Sequence, residues 1–425
     1  MKKKKKSNKL HRAVTHIKLD FANQGKLTRL DELCPVYMNL VQQYIDYIFK
    51  FEIRDVDSYD EVIPLVKTVL SKRYQRCAWQ QAVGIMKSFY SNGRTNKPQL
   101  KGANIQGTPN VIRLEKSDTP QFDFWLVIAT LEKCKPVRIP INIYAYGKKV
   151  INSGKLCTGV TLTRKNGKWY ATLVVETVNK KTKASKIIGV DLGIKNLLTT
   201  PVQYFGQFSE KLKDKIKQND LKRRRKQKLN ACLKKKGLVP VSLHNEKLDG
   251  FIKNEIGRAI NLFINSVTED TTVVLERLSI SDMRFKSRNM NRILKASKIG
   301  YAMDRLKQKL DLKHIRYASV PAAYSSQQCS CCGYIDRSNR PTQEKFICKF
   351  CEYTDNADVN ASKNIAKRFG DVELKDLTDF REMKPFLLER FFKRFPDARS
   401  ASDRLELSYT LREISGSPLT VNQPV

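Results

Sequence analysis

The sequence predicts an α/β chain built from several domains, and three observations predict it. Its 425 residues, 41% of them hydrophobic, are too many for one ordinary core and rich enough to build two to four. Segments with helical periodicity give way to a β-rich stretch within the first half. Later, apolar runs of strand length carry single acids and are separated by helix-like sequence, the texture of an α/β sheet.

In chain order, residues 13–20 (Ala-Val-Thr-His-Ile-Lys-Leu-Asp) alternate as a strand. Tyr37, Val41, Tyr44, Ile45 and Ile48 give residues 36–50 a helical apolar face, and Val62, Leu65, Val66, Leu70, Trp79, Val83 and Met86 extend helix-like sequence over 59–90. Arg73 and Arg76 lie on that second segment, as a solvated face or as contacts to a phosphate backbone. Phe122–Thr130 and Val137–Tyr146 read as strands. Gly159–Leu162 and Trp169–Glu176 flank Asn166-Gly167, a hairpin signal. This module of about 65 residues would complete a barrel with the strand at 13–20, leaving the helices of 26–110 as an insertion. After a polar linker, Ile187–Gly193 is a buried-strand pattern with Asp191 inside it. Helical sequence over 246–267 leads to a second apolar strand, Thr272–Leu275.

Charge narrows the partners. Lys and Arg number 80 and Asp and Glu 42, a net charge of +38. Such self-repulsion is ordinarily sustained by a polyanion, bound through release of its counterions. Residues 211–236 hold thirteen basic side chains against Asp214 and Asp220. Arg223, Arg224 and Arg225 are too dense there for ordinary solubilising charge, which favours a helix lying along a nucleic acid backbone over a merely solvated one. Met1–Arg12, with seven bases and no acid, reads as a solvated or phosphate-binding arm and not as a secretory signal. No apolar stretch reaches the about 18 residues of a membrane span, so no membrane is expected. The tail from 371 is nearly neutral, with ten acids and nine bases. Leu387, Leu388, Phe391, Phe392 and Phe395 form an apolar stripe in it that either packs onto the body or contacts another protein.

Five of the ten cysteines (Cys34, Cys77, Cys134, Cys157 and Cys232) are scattered, and five crowd between Cys329 and Cys351. Cys329/Cys332 and Cys348/Cys351 form two C-x2-C pairs fifteen residues apart, the spacing of a zinc ribbon. Each pair turns tightly enough to offer two thiolates to one tetrahedral ion. Four thiolates leave no open position, so one structural Zn²⁺ is expected. Cys332 is preferred to Cys331 as ligand because Gly333 suits the turn.

Three acids stand in unusual places. Asp191 sits in an apolar strand, Glu276 directly follows Val273-Val274-Leu275, and Asp358 opens a helix-like run. Each alone has a structural alternative: a salt bridge, a sheet-edge residue, a helix cap. Buried acids repel one another, and cutting a phosphodiester commonly uses two divalent ions about 4 Å apart held by converging carboxylates.

Ile-Gly-Val-Asp191-Leu-Gly, Val-Leu-Glu276-Arg-Leu and Asp358-Val-Asn-Ala resemble the three RuvC motifs of transposon-encoded TnpB nucleases and the compact type V CRISPR effectors similar to them. The approach to the cysteines, Pro321-Ala-Ala-Tyr-Ser-Ser-Gln-Gln-Cys, and the ribbon's place between the second and third acids resemble that family too. The match covers residues 187–370, and upstream it is one of architecture.

The resemblance implies an RNase H-like RuvC domain with an inserted zinc ribbon, plus an N-terminal wedge β-barrel with an inserted helical recognition lobe. The domains implied are a basic arm and first wedge strand (1–25), recognition lobe (26–118), wedge barrel (119–186), RuvC nuclease with its basic helical segment (187–325), zinc ribbon (326–354), final RuvC helix (355–370) and a tail of unassigned role (371–425). It implies an RNA-guided endonuclease in which Asp191, Glu276 and Asp358 hold two Mg²⁺, with Asp191 bridging them. A guide RNA would pair with double-stranded target DNA beside a short flanking motif, in a prokaryotic cytoplasm at the nucleoid. Arg340, with Arg337 near it, takes the place of an arginine that assists cleavage. The basic N-terminus, Cys331 and the neutral tail depart from the family's pattern. A guided repressor without cleavage, or a non-guided zinc-ribbon nucleic-acid binder, would use the same features.

Overall fold

The structure, a computed structural model, describes residues 9–53, 66–178, 181, 184–207, 210–277, 291, 294, 295, 297–377 and 380–398. It divides into two compact units, Met1–Asn179 and Lys180–Val425.

The first unit runs β1 (Lys9–Lys18), α1 (Gln24–Lys50), α2 (Lys72–Ser91), β2 (Ala103–Gly107), β3 (Ile112–Lys116), β4 (Phe124–Ile128), β5 (Val137–Ile141), α3 (Ala145–Ile151), β6 (Lys155–Lys165) and β7 (Lys168–Val178). Its strands make two sheets, β1-β7-β6-β2 and β3-β4-β5. The first strand of the chain thus pairs with the last of this unit, Leu10 opposite Thr177 and Lys18 opposite Tyr170, with α1 and α2 entering between β1 and β2. Asn166 and Gly167 both take positive φ (51° and 76°), which turns β6 into β7. Tyr37 on α1 donates to Gln81 Oε1 of α2 (2.9 Å), and Trp169 Nε1 of β7 donates to Asp31 of α1 (2.8 Å). The helices and both sheets consequently share one core.

Three expectations shift here. Among the described residues of the helix expected over 59–90, helix starts at Lys72, where the Ser71 hydroxyl accepts from Tyr74 N and caps it. Val66 and Leu70 precede the helix, and Val62 and Leu65 lie outside the described residues. β2 and β3 fall inside the segment 26–118 expected to be helical, and Ala145–Ile151 is a helix where a strand was expected to reach Tyr146. These elements are too short for periodicity to separate helix from strand.

The second unit runs β8 (Lys186–Val190), β9 (Asn196–Thr199), β10 (Tyr204–Gln207), α4 (Glu210–Lys235), α5 (Glu246–Ser266), β11 (Thr271–Arg277), α6 (Ile299–Leu312), β12 (Arg316–Pro321), β13 (Lys345–Ile347), β14 (Thr354–Asn356), α7 (Ala357–Lys367), α8 (Val372–Asp376) and α9 (Phe380–Arg394). β8, β11 and β12 are parallel with β11 central, and the hairpin β9–β10 joins through an antiparallel bridge between Asp191 and Thr199. The resulting mixed order is β10-β9-β8-β11-β12. Val273 and Leu275 pack with α5 and α6, whereas Val274 packs with Ile365 of α7. Alternation along a strand then places Glu276 on the α7 side. The same parity holds on β8: Val190 packs with the α5 and α6 cluster, and Gly189 and Asp191 face α7. A Cβ at Gly189 would lie 2.0 Å from Ser362 O and 2.6 Å from Ala366 N, so the glycine lets α7 rest directly on the strand.

The apolar stripe of the tail is spent inside the molecule. Leu387, Leu388 and Phe391 of α9 are buried, and the Phe391 ring lies 5.1 Å from Tyr334 and 4.9 Å from Phe350 of the cysteine-rich segment. The buried part of this stripe packs onto the body, as one of its two expected readings had it. Residues 399–425 lie outside the described part.

Candidate active site

Three elements deliver the three acids to one face of the second sheet. Glu276 is 6% exposed near the end of the central strand, and its Oε1 accepts the Ser325 hydroxyl at 3.0 Å. Asp191 stands one residue past β8, held by paired backbone bonds with Thr199 (2.9 Å each way). Asp358 lies in the first turn of α7. The cap of that helix is Asn356, whose side chain accepts from Asp358 N at 2.9 Å, so the cap alternative for Asp358 falls away.

The acids feel one another. Burial, then the charges of Glu276 and Asp358, push the Asp191 carboxyl well above its ordinary range, and Arg340 opposes this. Burial likewise raises Glu276, against the Ser325 hydroxyl and the Arg368 charge. Asp358 is raised by burial too, and its opposing cation is Arg340, whose Nη2 is 3.4 Å from Asp358 Oδ1 and which also donates to Gln343 O. Arg337 is exposed. Three buried or half-buried carboxylates, each raised by its burial, form a hard-oxygen donor set suited to divalent cations such as Mg²⁺. Among the described residues, only the cysteines bring three or more ligating atoms within 4.8 Å of one another.

The cysteine site is tighter. Cys329, Cys332, Cys348 and Cys351 converge, with Sγ–Sγ distances of 3.7 Å (Cys329–Cys351) and 3.6 Å (Cys332–Cys348). A tetrahedron with Zn–S bonds of about 2.3 Å has edges of about 3.8 Å, so the thiolates fit zinc. Backbone N–H groups of Cys331, Tyr334 and Phe350 point at the sulfurs of Cys329, Cys332 and Cys348. Gly333 takes φ 93°, the turn expected of it, and Cys331 is exposed beside the cluster.

The basic residues expected to contact nucleic acid backbones are exposed. Arg73 and Arg76 are exposed on α2, opposite its buried face of Tyr74, Cys77 and Ala78. Arg223, Arg224 and Arg225 are exposed on α4. Sequence reasoning missed Ser325, Asn360, Asn364 and Arg368, all buried around the acids and the ribbon. The four-residue spacing of Asn360, Asn364 and Arg368 along α7 and its C-cap was the available signal, and Ser325 offered none.

A model of the Cas12f1-like TNB domain matches residues 300–365, which include the four cysteines and Asp358. InsQ of Escherichia coli (strain K12), provisionally named an RNA-guided DNA endonuclease, is 27% identical over 239 residues, covering 48% of this chain and 55% of InsQ. The CRISPR-associated endodeoxyribonuclease Cas12f1 of Sulfoacidibacillus thermotolerans is 25% identical over 217 residues, covering 48% of this chain and 50% of that protein. The chain thus spans about half the length of these curated relatives. In fold it is similar to the mini-RNA-guided endonuclease CRISPR-Cas_phi3, with a TM-score of 0.51 at 10% identity, over 84% of this chain and 92% of that one. The chain is similar to TnpB-like proteins and compact type V effectors, as its motifs implied.

Proposed function

We propose that this chain is an RNA-guided DNA endonuclease that hydrolyses target DNA at a single carboxylate site. The observation that carries the proposal is the arrival of Asp191, Glu276 and Asp358 on one sheet face, where burial raises all three carboxyls and the charges of Glu276 and Asp358 raise Asp191 further. Two Mg²⁺ bound there would supply a nucleophilic water and stabilise the leaving oxygen. Asp191, Glu276 and Asp358 would hold these ions between them. Arg340, at the rim beside Asp358, offers a guanidinium to the phosphate. The thiolate cluster has no open position and serves as structural support for one Zn²⁺.

Guide RNA and double-stranded DNA are the partners, with Arg73, Arg76 and Arg223–Arg225 taking their backbones. The N-terminal unit, read as wedge and recognition lobe, takes the flanking motif. Among the described residues no helix is long and apolar enough to cross a membrane.

The test is cleavage by the chain purified with its native RNA, given Mg²⁺ and matched DNA carrying a library of flanking sequences. Cutting is expected, and Asp191→Ala should slow it about 1,000-fold, the worth of several kcal/mol of metal-borne stabilisation, while sparing DNA binding. Absence of cutting across the whole library, or undiminished cutting by Asp191→Ala, overturns the proposal.

A further inference from the structure

The geometry points to Ser325 as a positioning residue for Glu276, held by an asparagine ladder on α7 that ties the same carboxylate to the thiolate cluster. This rests on the metal-site reading above and adds to it a dependence between two sites that share no ligand.

Asn360, Asn364 and Arg368 recur every four residues, so they line one face of α7 and its C-cap. All three are nearly inaccessible, at 0%, 3% and 4% exposure. Apart from Arg368 Nε, which is buried without a partner among the described residues, the side-chain hydrogen bonds of these three residues go to one segment, Pro321–Ser330. Asn360 donates to Gln328 O (2.8 Å) and accepts from Ser330 N (2.9 Å). Asn364 donates to Ser325 O (2.8 Å) and to Gln328 O (2.6 Å). Arg368 donates to Pro321 O (2.6 Å) and to Gln328 Oε1 (3.0 Å). Within that segment Tyr324 has φ 59°, a left-handed conformation unfavourable for a residue with a Cβ. The segment therefore owes its shape to the ladder and not to its own preference.

Ser325 is where the held segment meets the acids. Its hydroxyl has one proton, given to Glu276 Oε1, and this fixes the orientation of the carboxylate plane. The other end of the ladder is the first cysteine knuckle: Gln328 O and Ser330 N, the two groups Asn360 grips, lie either side of Cys329. A continuous path runs from Cys329 through Gln328 O, the Asn364 amide, Ser325 O and the Ser325 hydroxyl to Glu276. Asp358 is carried at the start of the same helix. Partners that orient metal ligands in this way are typically worth about 10- to 100-fold in metal affinity.

The test uses the full chain, zinc-loaded, with Mn²⁺ as the probe and free Mn²⁺ read by electron paramagnetic resonance. Ser325→Ala is expected to raise the Kd for Mn²⁺ about ten-fold or more, with an unchanged melting temperature, and Ser325→Thr to restore it. Stripping zinc with a mercurial should raise the Kd of the wild-type chain and add little to Ser325→Ala. A Kd in Ser325→Ala equal to the wild type overturns the positioning role. An equal loss on zinc removal in both proteins overturns the link to the cysteines. A wild-type chain that binds no Mn²⁺ sensitive to Glu276→Gln sinks the metal site itself, a result distinct from both.

Discussion

At the scale of single residues, the proposed site is a place where burial works against the acids it collects. Glu276 is buried with acids for neighbours, and its carboxyl is pushed from an ordinary 4.5 up to about 7. The folded state therefore favours the protonated acid, so its contribution to stability is fullest at low pH. That contribution fades as pH rises from about 4.5, where the unfolded chain ionises, through about 7, where the folded one does, and above that the penalty is complete. Without divalent ions, the melting temperature should fall across this window. Glu276→Gln should flatten the fall and melt about 3 °C or more above the parent at pH 8. Mg²⁺ should rescue the parent and not the variant. A parent whose pH dependence matches that of Glu276→Gln would show that the acid is not strained in the fold. The same residue scale explains what the sequence conveyed. Asp191 and Glu276 were visible because an acid is out of place in an apolar strand. Ser325 and Asn364 were not, since a serine and an asparagine carry no anomaly until their burial is known.

At the scale of elements, α7 decides the geometry. It brings Asp358, the ladder and the seat on β8 in one rigid piece, and that seat exists because position 189 has no side chain. Gly189→Ala would force a methyl into the backbone of Ser362 and Ala366, neither of which can rotate away. A loss of about 3 kcal/mol is expected, at the upper end of overpacking costs, together with loss of cleavage as Asp358 moves from Asp191. Chemical denaturation checks the first and the guided assay the second. A variant as stable as the parent would mean that α7 does not rest on β8 as described. A glycine inside an apolar strand could be read as the mark of a close neighbour. The neighbour could not, because it lies some 170 residues downstream and nothing local encodes the pairing. The long elements, α1, α4, α5 and the hairpin at Asn166-Gly167, were legible because periodicity and turn chemistry are local. Start points set by single caps such as Ser71, and short elements such as β2, β3 and α3, were not.

At the scale of the whole molecule, net charge of +38 asks for a polyanion, and α4 shows how such charge is displayed. This helix of 26 residues, about 39 Å long, has Ile216 packed at its base but Leu221 and Leu229 exposed. The returning chain is held to it by polar bonds: Asn230 pairs with both backbone groups of Val241, and Lys226 donates to Ser242 O. A helix with so little apolar seam is a carrier of charge rather than of core. Consecutive positions on a helix point about 100° apart, so Arg223, Arg224 and Arg225 cannot all face one phosphate backbone, and two of them can. Each phosphate neutralised on a duplex contributes about 0.9 to the slope of log affinity against log salt. Replacing all three by Ala should therefore lower the slope by about 2 and not by about 3, with affinity weakened at low salt and the parent and variant converging as salt rises. Binding isotherms across a salt series measure both quantities. Unchanged slope in the triple variant would place the backbone contacts elsewhere on the molecule and return α4 to the status of a solvated arm.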